Sequence, residues 1–341
     1  MKLDSVDAFE ELSMFRVIPF LCCVLLWGCS EKPAGSSVEK TQASPVQATA
    51  KLALNWYPEV EHGGFIAANT LDLFKAENIE VEIIPGGPGA PQAIIAELAA
   101  ERIEFAVSDA DNVVKARSAG LPIVALMAPL QNSPRCIMVH EASGITSLEQ
   151  LTNVELAISD SRPFALWMKK KLPLTNVKMV PFNGLVGEFL LKPDFAQQGY
   201  VFSEPFVAKE KGGDPRVLLV SDIGFNPYAS VLITTEKVIQ EQPELVRSVV
   251  TASVKGWQEY LAAPVATNAA IHEMNKDMSI AALEFGAKEM AALCKPAEGI
   301  AFCGMEKDRW DVLVKQIEEI EDIPAGSVKS DECFTTRFLQ P

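Results

Sequence analysis

From residue 51 onward, short apolar runs alternate with longer segments of helical periodicity. "KLALNW" predicts a strand, and "GFIAANTLDLFKAEN" predicts a helix from the spacing of Ile66, Leu73 and Phe74. "IEVEIIP" is the next strand. After a Gly/Pro loop, "PQAIIAELAAERI" reads as a helix opened by Pro91 in its first turn. "IEFAVSDA" then gives a strand, "DNVVKARSAG" a helix stopped by Gly120, and "LPIVALMAPL" a further strand. A βα series of this kind predicts a mostly parallel sheet with helices on both faces.

A second series starts near residue 141. "SLEQL" opens a helix, "VELAIS" is a strand, "RPFALWMKKKL" a helix, and "VKMVPF" and "QGYVFSEP" are strands. After "DPRVLLVSDIGFNPY" the chain returns through "ASVLITTEKVI". The remainder is mostly helical: "PELVRSVVTASVKGWQEYLAA", begun by Pro243, then 267–276, 279–293 and 305–320. Trp257 and Trp310 sit among apolar neighbours at helical spacing and read as core. No internal sequence repeat is visible.

The N-terminus follows a different pattern. Val17–Trp27 is an apolar run of eleven residues, too short to span a bilayer but suited to the h-region of an export signal. It ends in Leu26-Trp27-Gly28-Cys29, which resembles a bacterial lipobox, although Trp27 is bulkier than that pattern prefers. On this reading residues 1–28 are a signal peptide and Cys29 is lipidated. Asp4, Asp7, Glu10 and Glu11 do not suit a positively charged n-region, whereas a start at Met14 gives "MFR" and does. Residues 29–50 carry almost no large apolar side chain and read as a flexible tether. The folded part is thus expected to be exported and held at a membrane through the lipid only.

With 341 residues and 48% hydrophobic content, the chain exceeds what one core usually serves, so two lobes are expected. The net charge of -15, with no basic stripe interleaved with aromatics, excludes a nucleic-acid binder. Of the seven cysteines, Cys136, Cys294, Cys303 and Cys333 lie in the globular part. Cys294 and Cys303 flank a short loop and either pair or remain separate thiols. No Cys/His spacing suggests a metal site, and no cofactor is expected.

Together "NWYPEVEHGGFIAA", "PGGPGAPQAIIAELAAERIEFAVSDADNVVKARSAGLPIVAL", "FSEPFVAKEKGG" and "NPYASVLITTEKVIQEQPELVRSVVTASVKGWQEYL" are similar, in this order, to the NMT1/SsuA/THI5-like family of ABC-importer solute-binding proteins. The likeness covers roughly residues 51–265. It implies a two-lobe periplasmic-binding-protein type II fold, α/β, with mostly parallel sheets and the ligand cleft between the lobes. Lobe 1 would be 51–138 plus 231–341, and lobe 2 would be 139–230. It further implies a monomer that delivers a small molecule to a permease of the inner membrane.

In open α/β sheets, ligands bind beyond the carboxyl ends of the strands. The family likeness places Trp56 against an aromatic ligand and His62 in or near the pocket, with Tyr57 and Phe65 beside them; core packing of Trp56 and helix capping by His62 are the alternatives. The relatives usually read "PN" where this chain has Pro58-Glu59. Gly63 and Gly64 let backbone N–H groups approach a ligand. Asp109 is either an N-cap, as Ser108 and Asp111 also could be, or an acceptor for ring N–H groups. Ser161 can donate to a ligand oxygen, and Arg162 pairs either with an anion or with Asp160. Glu204 lies in the family's "EP" element, and Tyr228, with Asn226, is a hinge residue, a ligand contact or both. "PGGPGAP" lacks the spacing of a nucleotide loop and either lines the cleft mouth or is a turn.

There is no GxSxG and no HExxH, and His140 and His272 have no recognisable partner, so a binding protein is expected and not an enzyme. The family's enzymatic branch, which makes the thiamine pyrimidine, carries a cysteine-rich iron motif with no counterpart here. Aromatic residues beside carboxylates favour a flat heterocycle of the thiamine-precursor pyrimidine type. Arg162 is the argument for the alternative, a sulfonate- or nitrate-like anion.

Overall fold

The computed structural model describes residues 48–339. The expected signal peptide, the expected start at Met14, the lipidation expected at Cys29 and most of the expected tether fall outside the described residues. Strand β1 (Ala48–Ala53) begins three residues earlier than the apolar pattern suggests, because Ala48, Thr49 and Ala50 pair in register with Ile79, Glu80 and Val81 of β2 (Ile79–Ile84). β3 (Phe105–Ser108) and β4 (Ile123–Met127) are buried at every position, as strands covered on both faces must be.

Five further strands, β5 (Arg135–His140), β6 (Glu155–Ala157), β7 (Lys178–Val180), β8 (Phe195–Tyr200) and β9 (Pro215–Leu219), form a second sheet. β10 (Val231–Thr235) returns to the first. The strand orders are β2-β1-β3-β10-β4 and β7-β6-β8-β5-β9. In each sheet one antiparallel strand, β10 or β5, lies between parallel ones. The two sheets therefore share one plan, and each takes its antiparallel strand directly after a crossing of the chain. β5 pairs only with β8 and β9, so the second sheet starts at Arg135, ahead of the expected boundary at 139.

The two crossing segments are tied to each other. Leu130 and Ala229 form a bridge, and Ser133 N–H donates to Asn226 Oδ1 at 2.8 Å. Arg309 spans both, donating to Gln131 O (2.7 Å) and Asn226 O (2.9 Å) while stacking 3.8 Å over the Tyr228 ring.

Three elements differ from the periodicity. The first helix is split into Gly63–Thr70 and Leu73–Ala76, because Asp72 adopts a left-handed φ of 55° that no continuous helix accommodates. "SLEQL" makes one 3-10 turn, Leu148–Gln150, since Leu151 turns extended. "QGYVFSEP" is strand only to Tyr200, and a helix starts at Glu204. Trp257 and Trp310 are fully buried, Trp310 stacking on Phe334 at 5.5 Å. Cys294 and Cys303 are separate free thiols buried in the same apolar cluster, so the pairing alternative is not realised here. Burial pushes the Cys294 thiol up to about 12 and Cys303 well above its usual range. Among the described residues, no helix is long and apolar enough to cross a membrane.

Candidate functional site

A cavity of about 390 Å³ opens where the carboxyl ends of β1, β3, β6 and β8 face each other. The segment after β1 forms one wall. Asn55, Trp56, Glu59 and Glu61 line it, and Trp56 extends toward the loop Phe182–Gly184 of the other sheet: a Cβ added to Gly184 would lie 3.9 Å from Trp56 Cζ2. Pro88, Pro91 and Gln92 from the "PGGPGAP" turn and its helix border the mouth. Gly86 is what allows that turn to close in, because a Cβ there would stand 2.3 Å from Leu54 O.

Asp109 occupies the N-cap position of helix Ala110–Ser118, but its side chain makes no cap hydrogen bond and turns elsewhere. Its Oδ1 accepts from Ser230 N–H (3.3 Å), its Oδ2 accepts from Tyr200 OH (3.5 Å), and Arg135 lies 3.7 Å away. Arg135 donates to Tyr200 Oη at 2.6 Å and is sandwiched between the rings of Phe164 (4.5 Å) and Tyr200 (4.6 Å). Glu204 accepts from Tyr200 N–H at 2.8 Å. Ser159, Ser161 and Arg162 complete the far wall, where Arg162 donates to Asn112 Oδ1 at 3.4 Å. Asp160 pairs instead with Lys169.

The cavity wall therefore carries four carboxylates, Glu59, Glu61, Asp109 and Glu204, against two guanidiniums, Arg135 and Arg162. Burial pushes the Glu61 carboxyl up to about 8, reinforced by Asp109, while Ser230 Oγ donates to it at 3.0 Å. Burial also raises Glu59 well above the usual carboxylate range, with Glu61 and Glu204 adding to it. Glu204 is raised by burial as well. A low-dielectric wall with like charges close together favours the neutral acids until something positive arrives.

Of the residues singled out from sequence, the fold brings Trp56, Asp109, Ser161, Arg162 and Glu204 together on this cavity. Six others lie elsewhere. Tyr57 points outward, 46% exposed, with its ring edge-on to Trp56 at 5.6 Å. His62 is completely buried behind the wall, with Nε2 2.8 Å from Asn55 Oδ1 and Nδ1 3.3 Å from Glu59 N–H. Gly63 and Gly64 serve helix packing: added Cβ atoms would fall 2.1 Å from Tyr260 and 2.0 Å from Trp257. Phe65 packs edge-on against Trp257 in the core. Tyr228 is buried beside Trp310, and its Oη accepts from Glu306 N–H at 3.0 Å. Residue pattern alone did not single out Glu61, Arg135, Gln198 or Tyr200. Arg135 and Tyr200 sit at the ends of two separate strands, and only the β5–β8 pairing, Arg135 opposite Tyr200, puts them together.

Two α/β lobes of like topology with a polar cavity at their facing strand ends define the type II periplasmic-binding-protein architecture. The NMT1/THI5 like family model matches residues 59–267, and the chain belongs to that family. It is 24% identical over 241 residues, 68% of each chain, to the riboflavin-binding protein RibY of Chloroflexus aurantiacus. It is 23% identical over 256 residues, 72% of this chain and 75% of the other, to a formylaminopyrimidine-binding protein of Halalkalibacterium halodurans. In structure it is similar to the periplasmic aliphatic sulphonate binding protein SsuA from Escherichia coli, with a TM-score of 0.63 at 14% identity over 85% of this chain and 92% of that one.

Proposed function

We propose that this chain is the solute-binding protein of an ABC importer and captures a small flat nitrogen heterocycle of the aminopyrimidine type. The observation that carries this reading is the slot itself. Trp56 faces the Phe182–Gly184 loop across a cavity sized for a small molecule, and its inner end presents hydrogen-bond acceptors from Glu59, Glu61, Asp109 and Glu204. Ring stacking contributes on the order of 1 kcal/mol beyond area burial, so the paired polar edge decides specificity. The related binding proteins for riboflavin and formylaminopyrimidine support the same ligand class.

Capture proceeds by closure of the two lobes about the crossings at Gln131–Ser133 and Asn226–Ala229, and the closed form is what the permease meets. Lipidated Cys29 holds the protein outside the inner membrane as a monomer. An acid/base enzyme is the weaker reading, because both ring nitrogens of His62 are engaged with Asn55 and Glu59.

The test is a thermal-shift series with riboflavin, a 4-aminopyrimidine, an alkanesulfonate and nitrate. A ligand at a hundred times its Kd stabilises by about 2.7 kcal/mol. Stabilisation by a heterocycle and none by the anions is expected; stabilisation by the anions alone overturns the reading.

A further inference from the structure

We propose that the inner end of the cavity is a cation subsite, in which Glu59 and Glu61, backed by Glu204 and Asp109, hold a protonated amine or ring nitrogen of the ligand. This rests on the heterocycle reading above and adds the ligand's charge to it. Glu59 carries the argument. It is 7% exposed, it lines the cavity, and its Oε2 has no hydrogen-bond partner among the described residues. A buried carboxylate oxygen without a donor is costly unless it is protonated or meets a positive group. Glu61 is 1% exposed and keeps one partner, Ser230 Oγ at 3.0 Å.

The surroundings do not neutralise this pair. His62 lies 3.7 Å from Glu61, but its Nδ1 accepts the Glu59 N–H, so the ring is the neutral Nε2–H form directed at Asn55. Arg135 faces Glu61, Asp109, Asp111 and Glu204 together, and Arg162 faces Asp111 and Asn112, so two guanidiniums are shared among more carboxylates than they match. The donors to this pair are neutral: the Ser203 side chain hydrogen-bonds the Glu59 carboxyl, leaving its Oε2 free, and Ser230 Oγ donates to Glu61. A unit charge close to a carboxylate interacts far more strongly in this buried setting than in water, which makes ligand charge a principal determinant of selection.

Capture is then an exchange. Glu61, pushed up to about 8 by burial, holds its proton in the free protein at neutral pH, and the arriving cation displaces it to solvent. Below the free-state value of Glu61, about 8, cation affinity must rise with pH. A ligand that instead accepts hydrogen bonds from the protonated acids would bind more weakly as pH rises. The two mechanisms have opposite signs.

The experiment uses a matched pair: a 4-aminopyrimidine bearing a protonated aminomethyl arm, and the same molecule with that amine formylated and neutral. Affinities are measured by calorimetry on the wild type and on Glu59→Gln and Glu61→Gln, each checked for native melting, from about pH 5.5 to 7.5, where an alkyl ammonium stays charged. The amine is expected to bind at least about tenfold tighter than the formamide, with affinity rising by up to about one decade per pH unit for each proton released. Glu59→Gln or Glu61→Gln, whichever folds, should collapse the preference. Tighter binding of the formamide, or amine affinity that is flat or falling with pH, overturns the cation subsite while leaving the heterocycle reading in place. No binding of either probe overturns both.

Discussion

His62 and Asn55 are joined by a 2.8 Å hydrogen bond from the ring Nε2–H to the side-chain carbonyl, and the bond lies entirely inside the protein. Its consequence is positional. With Nδ1 accepting Glu59 N–H, one imidazole fixes two residues of the cavity wall without touching the cavity itself. Replacing His62 by Leu strands both partners, each worth about 1–3 kcal/mol when left unsatisfied and buried. The melting temperature should fall by several degrees, and denaturant titration checks it. A variant with unchanged stability would contradict the geometry.

The same residue sets an acid limit. Burial lowers His62 from 6.5 to about 3, so the folded protein favours its neutral form. That contribution is present above about 6.5 and is lost as pH falls through about 3. His62→Gln should remove part of the stability loss between these values, read as melting temperature against pH.

Glu61 works in the opposite direction. Its folded value is raised from 4.5 to about 8, so its contribution is fully present below 4.5 and is lost as pH rises through about 8. The ligand-free protein should therefore soften from mildly acidic to alkaline pH, and Glu61→Gln should flatten that slope. A wild-type slope retained in Glu61→Gln would move the titrating group elsewhere.

Trp56 is half-buried and belongs to the cavity wall more than to the core. Trp56→Ala should cost the heterocycle at least about tenfold in affinity, or 1.4 kcal/mol, with little change in melting. Normal binding by this variant would reduce the wall to scaffold.

Gly64→Ala should do the reverse. Its Cβ would sit 2.0 Å from Trp257 Cγ, so helix Gly63–Thr70 must move off helix Pro243–Ala262 at a cost of about 1–3 kcal/mol. Affinity per folded molecule should be retained, by calorimetry normalised to the folded fraction.

Arg162→Glu separates the two ligand classes. Arg162 lines the cavity from the second sheet, whereas Glu59 and Glu61 follow β1 of the first. Heterocycle binding should survive charge reversal; a wild type that binds a sulfonate probe and not the heterocycle, with the reversal abolishing that binding, would restore the anion alternative.

The alternation of apolar runs and amphipathic segments determined the order of strands and helices, because burial on both faces or on one stripe is written into each segment locally. It also determined that Trp257 and Trp310 are core, and it placed Trp56, Asp109, Ser161 and Arg162 at strand ends, while Glu204 was marked only by the family likeness. It could not determine direction. Gly63 and Gly64 look alike as ligand approaches or as helix contacts, and only the seat of Tyr260 and Trp257 decided it. Nor could it find Arg135. That residue acquires its role from Tyr200, 65 positions away, and from Asp109 on the other sheet. Distances across a chain reversal and between sheets depend on how the elements pack, and no local pattern of residues encodes them. The charge of the cavity belongs to tertiary structure for the same reason: four ordinary acids became buried neighbours only when the lobes assembled around them.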